Sequence, residues 1–199
     1  MTQDTLTLNN PNASLMEPED FQRKVIGAMV AHLTSQRSPA LLVAPTGSGK
    51  TFMLGQVLAK VSAAQPTVWF WFTPYGNLVG QTILALDWVD GLNMYAMATE
   101  RQRNHVNGDV LVANVQQVAS KTADRQALKQ IDDFSISVQG IVARARGKRL
   151  RIGVVVDEAH IGLSSETEFG KFVKRLNPDS LIMATATPND AKLNQFLAA

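Results

Sequence analysis

Ala40-Leu41-Leu42-Val43-Ala44-Pro45-Thr46-Gly47-Ser48-Gly49-Lys50-Thr51 decides the fold. Its first four residues are a short apolar run bounded by punctuation, as expected for a strand buried on both faces. Residues 51–64 then put Met53, Leu54, Val57, Leu58 and Val61 at helical spacing. A glycine-rich turn between a buried strand and a helix is the setting that phosphate-binding loops require. Gly47 and Gly49 can take backbone conformations that clash for other residues, so successive amides converge on one concavity. With Pro45, Thr46 and Ser48 completing the turn, those amides and the helix N-terminus would hold a β-phosphate. Lys50 would reach between β- and γ-phosphates, and the Thr51 hydroxyl would meet magnesium. A surface lysine behind a flexible turn is the bland alternative, and the full Gly-Ser-Gly-Lys-Thr run argues against it.

A partner for this loop stands further along the chain. Val154–Val156 is a hydrophobic run that ends directly at Asp157-Glu158-Ala159-His160. A strand ending in a carboxylate puts that carboxylate at the C-terminal edge of the sheet, where the phosphate loop also lies. Asp157 would hold magnesium through water, because that ion dehydrates reluctantly. Glu158 is placed to orient and deprotonate an attacking water. Two acids after a strand are by themselves only a solvated loop, and the phosphate loop gives them their meaning. His160 has no second histidine or cysteine at ligand spacing, so zinc is not expected.

The rest of the chain supplies alternating elements. Pro18, Glu19 and Asp20 open a helix whose buried stripe is read as Phe21, Val25, Met29 and Leu33, with Ser38-Pro39 stopping it. Strands are expected at Thr67–Phe72, Asp109–Ala113, Ile152–Val156 and Leu181–Ala184. Helices are expected at about Asn77–Leu86, from about Asp124 toward Arg146, and at Ala191–Ala198. Strand–helix alternation implies one α/β domain, residues 17–199, with a mainly parallel sheet in a three-layer α/β/α arrangement. Residues 1–16 read as a mobile leader. The 199 residues contain 45% hydrophobic and 18% charged side chains, which argues against wholesale disorder. With no cysteine there is neither a disulfide scaffold nor thiolate chemistry, and the composition fits a cytoplasmic setting. No apolar run approaches the ~20 residues that span a bilayer. A net charge of +2 does not by itself indicate nucleic acid.

Together these motifs resemble the first RecA-like domain of superfamily 2 helicases and translocases. The alanine-led form of the loop, Ala44 in place of the usual glycine, is that group's variant, and Asp157–His160 looks like its DEAH-type motif. Further blocks match in order. Gln22 resembles the glutamine that reads adenine. Thr73, Pro74 and Gln81 resemble a motif that grips the nucleic-acid backbone. Thr185-Ala186-Thr187-Pro188 resembles the motif coupling nucleotide state to the nucleic-acid track, with His160 joining Thr185 and Thr187 in that role. Asn114 stands where the family commonly has a phosphate-contacting threonine. Within the group the combination is most similar to the helicase subunits of type III restriction enzymes.

The resemblance implies ATP and Mg2+ as ligands, Lys50, Asp157 and Glu158 as catalytic residues, and DNA as partner, with RNA as the alternative. It also implies a second RecA-like domain, in cis or trans, carrying an arginine worth about 10³–10⁵ in rate. These residues alone are therefore expected to turn ATP over slowly. A non-catalytic module regulating a partner is the competing expectation, and Glu158 speaks against it. Arg144, Arg146, Lys148, Arg149 and Arg151 form the densest basic run, read as a helix end rather than a nucleic-acid site. Arg101, Arg103, Asn104 and His105 are better placed but have no diagnostic spacing. Trp69, Phe70, Trp71 and Phe72 are read as core rather than as a base-stacking platform.

Overall fold

In the computed structural model, residues 17–36, 39–119, 137–187 and 196 are described. The leader 1–16, Ser38, Pro188 and most of the expected Ala191–Ala198 helix lie outside the described residues. Among the described residues six strands form one sheet: β1 (Ala40–Val43), β2 (Thr67–Thr73), β3 (Asn93–Ala96), β4 (Asp109–Asn114), β5 (Arg151–Val156) and β6 (Ser180–Thr185). Their spatial order is β1-β6-β5-β2-β4-β3, and every pairing is parallel. The helices are α1 (Asp20–Ser35), α2 (Lys50–Ala64), α3 (Asn77–Leu86), α4 (Val115–Ala119), α5 (Val138–Gly147) and α6 (Glu168–Leu176).

Strand alternation sorts the aromatic residues of β2 into two cores. Val68, Phe70 and Phe72 pack on one face with Phe169 and Phe172 of α6 and Ile141 of α5. Trp69 and Trp71 pack on the other with Leu54 and Leu58 of α2 and Leu33 of α1. All four of Trp69, Phe70, Trp71 and Phe72 are fully buried, as core residues should be. Trp69 is paired in register with Gly153, and its ring lies where a side chain at that position would stand. Its Nε1 donates to Ser62 Oγ at 2.9 Å. A parallel sheet covered on both faces is the three-layer α/β/α architecture.

Four expectations need correction. β1 is the edge strand of the sheet, so its burial alternates and Val43 is 43% exposed. The buried stripe of α1 is Ile26, Met29 and Leu33, while Phe21 is 52% exposed. Of the helix expected from 124 toward 146, residues 124–136 lie outside the described residues, and the described part starts afresh at Ser137. Ser137 has extended backbone angles and its hydroxyl caps a new helix, α5, by accepting from Gly140 N at 3.0 Å. Finally β3, α4 and α6 are additional elements.

Candidate nucleotide site

The sheet order brings the two motifs together. β6 lies between β1 and β5, with Val43 paired to Thr185 and Val156 paired to Met183. Parallel strands end on the same edge, so Ala44, Asp157 and Thr185 emerge side by side. Backbone bonds continue the ladders past the strands: Ala44 N to Thr185 O at 3.1 Å, Ala159 N to Ala184 O at 2.8 Å, and Asp157 N to Phe72 O at 2.9 Å.

Pro45, Thr46, Gly47, Ser48 and Gly49 form the turn from β1 into α2. Gly47 and Gly49 both sit at φ 81°, in the left-handed region where a Cβ is strained. Gly49 is the N-cap of α2, so Lys50 and Thr51 are the first residues of that helix, where amides lack intrahelical partners. Lys50 folds its ammonium back over the loop, donating to Ala44 O at 3.1 Å and Pro45 O at 3.4 Å. Those carbonyls hold the ammonium over the loop. The same Nζ lies 3.7 Å from Glu158 Oε1, with the lysine side chain 9% exposed.

From Glu158 the polar contacts run on. Glu158 has φ 47°, a left-handed conformation unusual for a residue with a side chain. Its Oε2 is 3.5 Å from His160 Nδ1, which is 2.9 Å from Thr185 Oγ1. Thr185 Oγ1 in turn meets Thr187 Oγ1 at 3.1 Å and accepts from Thr187 N at 3.1 Å. Lys50, Glu158, His160, Thr185 and Thr187 are thus one connected set.

Asp157 sits beside this set, its Oδ1 accepting from Glu158 N at 3.0 Å. Burial and then the neighbouring Glu158 charge push its carboxyl above the usual carboxylate range; the Glu158 amide and Lys50 only partly offset them. A carboxylate so disfavoured as an anion gains from a nearby cation. Among the described residues no group of three or more acidic or histidine side chains could cage a metal. Thr51 and Asp157 have the oxygen donors that could hold a Mg2+ ion, which keeps most of its ligands as water or substrate oxygens.

Gln22 also reaches the loop. Its Nε2 donates to Ser48 O at 3.0 Å, and its Oε1 accepts from Glu19 N at 3.0 Å. Sequence reading gave Gln22 a base-reading role and did not anticipate the loop contact. The spacing to Glu19, three residues ahead at a helix start, is the signal for half of this arrangement.

Thr73, Pro74 and Asn114, which the resemblance linked to nucleic acid, lie next along the edge. Thr73 and Asn114 are register partners on β2 and β4. Thr73 is fully buried and its hydroxyl donates to Tyr75 O at 3.1 Å; Pro74 is buried as well. Asn114 Oδ1 accepts from Gln117 N at 3.0 Å, and Gln117 Oε1 accepts from Asn114 N at 3.0 Å. This exchange starts α4. Gln81 is exposed on α3.

The basic run belongs elsewhere. Arg146 donates to Leu176 O and Asn177 O, Lys148 to His105 O, and Arg151 to Asp179 O, tying α5 and β5 to their neighbours at the opposite edge. His105 is 4% exposed, its Nδ1 3.2 Å from Asp109 Oδ2, so it serves the fold rather than a surface.

Known proteins share this fold. The chain is similar to the Sulfolobus solfataricus SWI2/SNF2 ATPase core in complex with dsDNA, with 16% identity and a TM-score of 0.59 over 90% of this chain and 34% of that one. It is similar to a nuclease-deletion mutant of the Type ISP restriction-modification enzyme LlaGI in complex with a DNA substrate mimic, with 16% identity and a TM-score of 0.58, covering 87% of this chain and 18% of that one. The Pyrococcus furiosus Hef helicase domain gives 14% identity and a TM-score of 0.60, covering 94% and 37%. The chain therefore spans well under half of each of these structures. At such identities they establish the shared fold. Among curated proteins none matches. The family profile described as type III restriction enzyme, res subunit, matches residues 15–190. The chain belongs to the type III restriction enzyme res-subunit family and carries its RecA-like helicase fold.

Proposed function

We propose that this chain is the ATP-binding half of a DNA helicase or translocase, of the restriction-enzyme helicase-subunit type. The observation that carries the reading is the continuous contact from Lys50 through Glu158 and His160 to Thr185. It joins a residue fit to hold a γ-phosphate to a strand end beside the proposed DNA-facing edge. Lys50 and the loop amides bind the triphosphate of ATP. Thr51 and Asp157 hold Mg2+, which when bound neutralises phosphate charge. Glu158 orients the water and accepts its proton, and this requires it to release Lys50 to the phosphates. His160, Thr185 and Thr187 relay the occupancy of the site. DNA lies along the edge that presents Gln81 and Asn114, with buried Thr73 and Pro74 shaping the turn behind it. The DNA-bound relatives of the same fold support DNA over RNA.

Rapid hydrolysis needs a second RecA-like domain, in cis or trans, to place an arginine against the transferred phosphoryl group. The test is a split between binding and turnover. Glu158→Gln should keep MgATP affinity within about threefold and lower single-turnover hydrolysis at least ~100-fold, the loss expected for a general base. Unchanged hydrolysis in Glu158→Gln would remove the catalytic assignment.

A further inference from the structure

We propose that Gln22 is a positioning residue for the phosphate loop, locking the Ser48–Gly49 peptide so that its amide faces a bound triphosphate. The inference rests on residues 44–51 being a triphosphate site. Gln22 is held at both ends of its amide, by Glu19 N at 3.0 Å and Ser48 O at 3.0 Å. The Ser48–Gly49 peptide is trans, so the Ser48 carbonyl and the Gly49 N–H point in opposite directions. With the carbonyl held toward α1, the Gly49 N–H is turned away from that helix.

Nothing in the covalent structure of the loop enforces this orientation. Gly49 is at φ 81°, and glycine moves between positive and negative φ at little steric cost. A flipped peptide would present a carbonyl oxygen where phosphate oxygens need a donor. Ser48 itself is anchored ahead of this peptide, its N and Oγ both donating to Pro45 O, at 3.2 and 2.7 Å. Those bonds do not reach the peptide after Ser48, and Gln22 Nε2 holds it instead. Glycine at 49 also permits the approach, because a Cβ there would come 2.7 Å from Gln22 Nε2. After these bonds the amide keeps one N–H and one lone pair, so a contact with the base is compatible with the lock. The two roles separate on ligands that lack adenine.

The experiment titrates MgATP, MgGTP and magnesium tripolyphosphate into the wild-type chain, Gln22→Leu and Ile26→Val. Leucine fills similar space without a donor and introduces no charge. Ile26→Val loosens the same helix at its buried stripe, away from the loop. The expected result is a loss of about five- to tenfold for all three ligands in Gln22→Leu, the effect of one hydrogen bond. Ile26→Val should lower Tm with unchanged affinities. A Gln22→Leu chain that loses ATP alone, keeping GTP and tripolyphosphate, overturns the lock and makes Gln22 a base reader. Equal losses in Ile26→Val overturn it as well, by reducing the effect to helix stability. If the wild type binds none of the three ligands, the phosphate-site reading fails first and this inference falls with it.

Discussion

Asp109 shows how a single side chain can mislead and then inform. In sequence it only opens an apolar run; in the fold it is fully buried and accepts from Val106 N at 3.1 Å and Asn93 Nδ2 at 3.0 Å, with His105 Nδ1 at 3.2 Å. Burial pushes its carboxyl up, but the bonds from His105, Val106 and Asn93 and the His105 charge outweigh it, so it titrates below the usual range. A depressed folded value means the contribution is complete above the unfolded value, near about 3.9. It is lost as pH falls through the lower folded value. Asp109→Asn should therefore cost about 2–4 kcal/mol at pH 7, with an amide left facing the Val106 N–H. The gap to wild type should narrow as acid approaches the folded value. Denaturant melts at neutral and acidic pH check both statements. At the same scale the meeting of Lys50, Asp157 and Glu158 on one sheet edge was legible, because a glycine-rich turn into a helix and a strand ending in a carboxylate are local patterns. The Gln22–Ser48 contact was not, because it joins residues 26 apart through folding alone.

At the scale of elements, β2 and β5 are the central pair, and Gly153 is the point where they fit. An alanine there would meet the Trp69 ring directly. Gly153→Ala should cost about 1–3 kcal/mol through overpacking. Because Gly153 is at the middle of β5, MgATP affinity measured well below Tm should change little. Thr167 caps α6, accepting from Gly170 N at 3.1 Å, and Thr167→Ala should lower stability by about 1 kcal/mol in thermal or denaturant melts. The sequence already contained α6: Phe169, Phe172, Val173 and Leu176 recur at helical spacing behind that cap. Its shortness hid it among polar neighbours. β3 was harder, since Asn93–Ala96 has only Met94 well buried and is the far edge of the sheet. The buried strands β2, β4, β5 and β6 were readable for the opposite reason, because burial on both faces leaves continuous apolar runs. That rule failed at β1, whose apolar run turned out to belong to an edge.

For the whole molecule, strand order is what no local pattern specified. Placing β6 between β1 and β5 puts Thr185 beside the loop and within reach of His160, and so makes one network of three separated motifs. In the proposed reading this edge of the sheet supplies the residues for phosphate and magnesium, and the arginine comes from a second domain. Turnover by these residues alone should stay under about one per second, and DNA should raise it only weakly, since an arginine of this kind is worth about 10³–10⁵ in rate. Steady-state ATPase assays with and without DNA check this. The most direct test of the central claim is calorimetric titration of MgATP into the wild type and Lys50→Ala. The wild type should bind saturably and one-to-one, and Lys50→Ala should lose at least tenfold in affinity, about 1.4 kcal/mol or more. Equal affinity in the two chains, or no binding by the wild type, would contradict that claim.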